Sequence, residues 1–194
     1  MLHFSDTQKK PMADQLLVFS DAYLDSAAAL CKMMCGARNE ANYAHGAVVM
    51  SLTFHALELF LKAAIVRKVP DESFGKGLGH DLDHLYKRYS ELYPGNSMEF
   101  DLPFRQEPLD VSALASQFGE DFLTEVKKQS KSIPQDQLHR YPINLRGEEW
   151  RAALGFEPYS FSLVLQKLRD ELGTIRENMP FANPALQPTA FGGA

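Results

Sequence analysis

Cysteine is scarce in this sequence. The chain has 194 residues and two cysteines, Cys31 and Cys35. They are four residues apart in a stretch of helical periodicity, so a disulfide would only join two positions of one helix, and two thiolates alone leave a zinc site incomplete. We interpret both as reduced residues in or near the core of a cytoplasmic protein.

An excess of positive charge is also missing. Lys and Arg number 20 against 25 Asp and Glu, which gives a net charge of −5, so nucleic-acid binding would need a local basic patch. The N-terminal residues lack the charged segment, apolar segment and cleavage site of a secretion signal. The longest apolar run carries His55, Glu58 and Lys62, which argues against a membrane span. We expect a soluble, cytoplasmic protein that does not bind membranes.

The sequence also lacks complete cofactor and metal motifs. Glycines at 75, 77 and 79 suggest a phosphate loop, but no strand precedes them and the closing Gly-Lys-Ser/Thr is absent. His55 and Glu58 have the i, i+3 spacing of metal ligands in helical bundles. His80, Asp81 and His84 recur on one face of the third predicted helix. No matching Glu-x-x-His stands in the first or last predicted helix, so we expect neither a metal nor a cofactor.

What the sequence does have is one long apolar stretch, residues 44–68. Leu, Ala, Met, Glu and Lys dominate it, and neither Gly nor Pro interrupts it after Gly46, which indicates a helix. Apolar residues such as Val48, Leu52 and Phe60 occupy almost every direction around its axis, as in a helix surrounded by others. The exception is a polar stripe within a sector of about 60°, formed by Ser51, His55, Glu58 and Lys62.

Three further helices are predicted around this central one. Their apolar periodicity and flanking residues place them at 12–34, 81–93 and 158–179. Gly36 is expected to end the first in a left-handed conformation, and Asn39 or Asn42 to cap the central helix, which stops before Pro70. We therefore predict an all-α fold, an up-and-down four- to five-helix bundle in a single domain, 12–179, with flexible tails at 1–11 and 180–194.

Residues 96–157 form an inserted, partly irregular subregion before the last helix. It contains short helical candidates at 111–117 and 120–130 and a strand or hairpin candidate at 138–145. It also carries a basic and aromatic set: Lys127, Lys128, Lys131, His139, Arg140, Tyr141, Arg146 and Trp150. Such residues can pair phosphates and stack bases, or they can be a solvated helix end with Trp150 as an anchor on the bundle.

The polar stripe has two interpretations. In the first, the stripe is structural: it is a solvent-facing edge of the helix, or it forms a network with the segment 79–81. In the second, it is a site in which His55 and Glu58 exchange protons at a nucleotide phosphate that Lys62 contacts. His80 is most simply the cap of the helix that follows it.

Two segments carry a resemblance to a known family. HALELFLKA at 55–63 contains E-x-x-L-K-A at Glu58, Leu61, Lys62 and Ala63, and GHDLDHL at 79–85 begins with G-H-D-L. They resemble the second helix and the start of the third helix in the HEPN superfamily (higher eukaryotes and prokaryotes nucleotide-binding) of prokaryotic helical bundles. The resemblance implies a homodimer that associates with RNA or a nucleotide in a bacterial defence or toxin–antitoxin type system, with a cognate nucleotidyltransferase as a protein partner.

Ribonucleases of this superfamily carry R-x(4–6)-H near the start of the last helix and cleave RNA without a metal. No histidine follows His139 here, and the match at Arg38 and His45 lies at the start of the central helix instead of the last one. We therefore expect a non-catalytic accessory protein. The alternatives are a divergent metal-independent endoribonuclease, with His55, Glu58 and Arg140 as catalytic candidates and Lys62, His80 and Tyr141 as ligand contacts, and a non-enzymatic protein-interaction module.

Overall fold

The fold is an all-α bundle, as predicted. The computed structural model describes residues 5–36, 41–74, 79–103 and 156–179. Over these ranges the chain forms one 3₁₀ turn, no β-strand and five α-helices: α1 (Ser5–Gln8), α2 (Met12–Gly36), α3 (Tyr43–Lys68), α4 (Leu82–Leu92) and α5 (Pro158–Asn178). The elements predicted at 111–117, 120–130 and 138–145 lie outside the described residues. Ser5–Gln8, a single helical turn, falls in the segment predicted to be a flexible tail.

Side-chain caps explain where the helices begin. Asn42 caps α3, because its side-chain oxygen accepts the backbone N–H groups of Ala44 at 3.0 Å and His45 at 3.4 Å. Asp81 caps α4 by accepting the N–H of His84 at 3.0 Å. The carboxylate of Glu157 caps α5, whose first residue is Pro158. The prediction that His80 caps α4 is wrong, since the cap is one residue later and the His80 side chain points elsewhere.

The prediction for Gly36 is also wrong. Gly36 is the last residue of α2, and among the described glycines only Gly95, after α4, has a positive φ, 125°. Helix α2 therefore ends without a left-handed residue at Gly36.

Helix α3 is the centre of the core. Leu57, Leu61 and Ile65 are 0% exposed. Full burial of one such side chain stabilises the folded state by about 1.5–3 kcal/mol. Helices α2 and α4 pack against α3, and α5 packs chiefly against α2. The same buried cluster contains Leu17, Leu24 and Cys31 from α2, Leu82 and Leu85 from α4, and Leu168 and Ile175 from α5. Val48, predicted to face a neighbour, is instead 49% exposed.

The two cysteines are reduced, with Cys31 in the core and Cys35 half-buried at the end of α2. Burial, together with the neighbouring Cys35 and Glu157, raises the pKa of the Cys31 thiol to about 11. The protonated thiol donates to the carbonyl oxygen of Pro158 at 3.1 Å, so it connects α2 to the start of α5.

The first residues of the predicted insertion belong to the bundle. Met98, Phe100 and Leu102 are buried. Three tyrosine hydroxyls hold this stretch and α3 in place, and the first is Tyr86, which donates to the carbonyl oxygen of Phe100 at 2.9 Å. Tyr89 donates to the carbonyl oxygen of Met98 at 2.6 Å, and Tyr93 donates to that of Ala64 at 2.8 Å. Burial raises the pKa of Tyr93 to about 12, so this hydroxyl stays protonated and available as a donor.

Helix α3 is also long and apolar enough to cross a membrane, with a mean hydropathy of 1.6 over its most apolar window. Its polar residues therefore do not exclude a span by composition alone. Of that window, 67% is buried inside the structure, which is typical of the core helix of a bundle.

A buried carboxylate between α3 and α4

The polar stripe of α3 is centred on a buried charge. Glu58 is 3% exposed, whereas Ser51, His55 and Lys62 on the same face are half-buried. The i, i+3 and i, i+4 spacing of an α-helix places His55 and Lys62 one turn before and after Glu58. The stripe is therefore not a simple solvent-facing edge, because its central residue is withdrawn from water.

One oxygen of Glu58 accepts two hydrogen bonds. Lys62 Nζ donates to Oε1 at 2.7 Å, and His80 Nδ1 donates to the same oxygen at 2.8 Å. His80 precedes α4, so the second bond connects two consecutive helices across the loop between them. The structure thus contains the network with residues 79–81 that was one interpretation of the sequence.

The other oxygen of Glu58 has a looser environment. Within the described ranges Oε2 has no hydrogen-bond partner, although His55 Nδ1 lies 3.4 Å away, within ion-pair distance. The His55 ring also packs against Tyr23 of α2, with the ring centroids 5.4 Å apart. Three basic side chains therefore surround one buried carboxylate.

The charge balance keeps Glu58 ionised. Burial alone would raise its pKa, but the hydrogen bonds and positive charges supplied by Lys62 and His80 outweigh burial and hold the pKa below its ordinary value. Lys62 is the permanent counter-ion: its side chain is 13% exposed, and Nζ lies 5.4 Å from the centroid of the Phe74 ring. This lysine therefore faces Glu58 and Phe74 rather than solvent.

His84 has a more local role than His80. Both side chains are 63% exposed, but the Nδ1 of His84 lies 3.5 Å from the carboxylate of Asp81, the cap of its own helix. Helix α3 begins in the same way, with Asn42 as the cap and His45 three residues later. The spacing of His84 is therefore explained by the start of α4.

Of the residues selected from the sequence, His55, Glu58, Lys62 and His80 come together in one network. Arg140 and Tyr141, with the rest of the basic and aromatic set, lie outside the described residues. Tyr23 and Phe74 also contact the network, and the sequence analysis did not select them. Neither an aromatic residue at a helical spacing nor one in a loop indicates from sequence that it has a polar neighbour. In the described part of the chain, no group of three His, Cys, Asp or Glu side chains is placed to hold a metal ion.

Comparison with protein-family models, curated proteins and solved structures gives no match to this chain.

The lowered pKa of Glu58 predicts an acid-sensitive contribution to stability. A carboxyl whose pKa is lower in the folded than in the unfolded protein stabilises the fold above its unfolded pKa, and this stabilisation is lost as the pH falls through the folded pKa. Between about pH 5 and 3, the melting temperature of the wild type should therefore fall more steeply than that of Glu58→Gln. Glu91→Gln, which changes an exposed glutamate of α4, should keep the wild-type slope. Equal slopes in the wild type and Glu58→Gln would contradict the prediction.

Proposed function

We propose that this protein is a HEPN-like, RNA- or nucleotide-associated accessory protein of a bacterial defence or toxin–antitoxin type system, and that it is not itself an enzyme. The observation that carries the proposal is the 2.8 Å hydrogen bond between Glu58 and His80. These residues belong to the two separate segments, E-x-x-L-K-A and G-H-D-L, on which the resemblance depends. Their direct contact, between α3 and the residue just before the cap of α4, supports treating the segments as one unit.

The charges of the network support a binding role over catalysis. Lys62 and Glu58 neutralise each other inside the protein, and α5 has no histidine to complete R-x(4–6)-H. A cytoplasmic location, a homodimer and a cognate nucleotidyltransferase as partner are parts of the same proposal and derive from the resemblance.

A divergent metal-independent endoribonuclease is the second candidate. The observation that favours it is that His55 and His80 both contact Glu58, because a carboxylate can orient an imidazole and stabilise its protonated form during proton transfer. Arg140, which the structure does not describe, would supply the phosphate contact in this alternative.

The test is to incubate purified protein with a mixed, labelled RNA pool in the presence of a chelator, and to measure both retention and cleavage. We expect RNA to be retained and recovered intact. Cleavage that survives the chelator and disappears in folded His55→Ala and Arg140→Ala variants would instead establish the ribonuclease. A parallel incubation with a labelled nucleotide completes the test. If neither the RNA nor the nucleotide is retained and the RNA is not cleaved, both candidates are wrong, and a protein-interaction role remains.

A further inference from the structure

His80 connects the buried network to the surface. Its Nδ1–H donates to the carboxylate of Glu58, which is 3% exposed, yet 63% of the His80 side chain is accessible to solvent. Because Nδ1 and Nε2 are on different edges of the imidazole ring, bonding of Nδ1 to the buried carboxylate leaves the Nε2 edge toward the accessible side. His80 is thus the member of the network best placed to meet a ligand.

The protonation state of His80 determines what this edge can bind. In the neutral ring, the single proton is on Nδ1 and is donated to Glu58, so Nε2 has only a lone pair and cannot donate to an anion. In the imidazolium form, Nδ1–H still donates to Glu58, and Nε2–H becomes a charged donor, which is suited to a phosphate oxygen. A phosphate contact at this edge therefore requires one proton.

The charges around His80 favour an anion only when that proton is present. Lys62 and Glu58 of α3 cancel, and His55 faces the second oxygen of the same carboxylate. On the α4 side, Asp81 is adjacent, but it is engaged with His84. When both imidazoles are neutral, the group formed by Glu58, Lys62, His55 and His80 has no net charge. Each proton taken up by His55 or His80 adds one positive charge to this group.

We propose that the Nε2 edge of protonated His80 is the phosphate contact of this protein, and that phosphate binding is coupled to uptake of one proton by this residue. The proposal rests on the proposed function, because it assigns a site to the RNA or nucleotide expected there. RNA, a free nucleotide and inorganic phosphate share the chemistry that this edge recognises.

The experiment measures the dissociation constant of a labelled single-stranded RNA by fluorescence polarisation between about pH 5.5 and 8, at constant low salt. In the wild type we expect affinity to fall with rising pH by up to about tenfold per pH unit, the slope for linkage to one proton. His80→Ala should bind more weakly at the acidic end and lose this slope. His84→Ala is the matched control, since His84 has the same exposure, and it should keep the wild-type slope.

A conservative variant separates the charge from the contact. Glutamine has an amide N–H near the position of Nε2 whatever the pH, so His80→Gln should recover binding at alkaline pH without the slope. Competition by inorganic phosphate and by a nucleoside monophosphate then distinguishes the sources of the phosphate. If neither competes while unlabelled RNA does, the contact is specific to RNA.

Two outcomes would overturn the proposal in different ways. If RNA binds and His80→Ala keeps the wild-type affinity and slope, the site is elsewhere, while the proposed function stands. If neither RNA nor the nucleotide nor phosphate binds at any pH, the site and the proposed function both fail. Thermal melting of each variant must show a folded protein, which is expected because His80 is largely exposed.

Discussion

Replacing Lys62 with methionine is expected to lower the free energy of unfolding by about 3 kcal/mol, the low end of the range for breaking a buried ion pair. The variant leaves the Glu58 carboxylate in place, 3% exposed, without its permanent counter-ion. The bond from His80 remains, and we therefore expect the low end of the range. Methionine keeps most of the length and apolar character of the lysine stem, so lost packing contributes little. The measurement is denaturant unfolding at neutral pH.

An exposed ion pair supplies the control for this prediction. Lys167 of α5 contacts Asp101, and both side chains are more than half exposed, so Lys167→Met should lower the free energy of unfolding far less than Lys62→Met does. The double variant Glu58→Gln/Lys62→Met removes the buried charge together with its partner, and it should be more stable than Lys62→Met alone. A loss in Lys62→Met no larger than that in Lys167→Met would mean that Glu58 does not depend on this lysine.

The central helix could be predicted from the sequence nearly to its ends because its signals are local. Asn42 before it and Pro70 after it act on neighbouring backbone groups, and the structure places α3 at Tyr43–Lys68, against a predicted 44–68. The grouping of His55, Glu58 and Lys62 follows equally from the geometry of a single helix. These predictions needed no information about how distant parts of the chain meet.

The partners of that group could not be predicted in the same way. The side chain of His80 reaches Glu58, 22 residues earlier in the chain, because α4 packs against α3. From sequence alone, the spacing of His80 fitted a helix cap equally well, and Asp81 fills that role in the structure. Val48 was predicted to pack against a neighbour and is exposed instead. An apolar residue in an apolar helix gives no indication that no neighbouring helix covers its side of the helix.

Gly46 is a residue whose structural role depends on a long-range contact that the sequence does not reveal. Glycine within a helix usually lowers stability relative to alanine by about 1 kcal/mol. Here it lies against Phe156, just before α5: a Cβ at position 46 would be 2.5 Å from the ring carbon Cγ and 2.8 Å from Cβ of Phe156. Because the Phe156 Cβ is itself too close, rotation of the ring alone cannot relieve the overlap.

Gly46→Ala is therefore expected to destabilise the protein by about 1–2 kcal/mol, since the cost of overpacking exceeds the gain in helix propensity. Gly173→Ala in α5 is the matched control. Among the described residues, and apart from the adjacent residues and backbone of α5 itself, no atom lies within 4 Å of the position that the alanine methyl group would occupy there. This variant should therefore be stabilised by about 0.5–1 kcal/mol. Denaturant unfolding of both variants gives the comparison, and a stabilised Gly46→Ala would show that the start of α5 does not rest on this glycine.

The decisive measurement is the same substitution in a Phe156→Ala background. Phe156→Ala removes the ring that the new methyl would meet, so Gly46→Ala should there change from destabilising to stabilising, with a gain of up to about 1 kcal/mol. A change of sign cannot come from propensity alone, because propensity is the same in both backgrounds.

Gly46 is also 12 residues from Glu58, or about 18 Å along α3, so Gly46→Ala should leave the dependence of RNA affinity on pH unchanged. The contact at this end of α3 would then be shown to position α5 without acting on the Glu58 network.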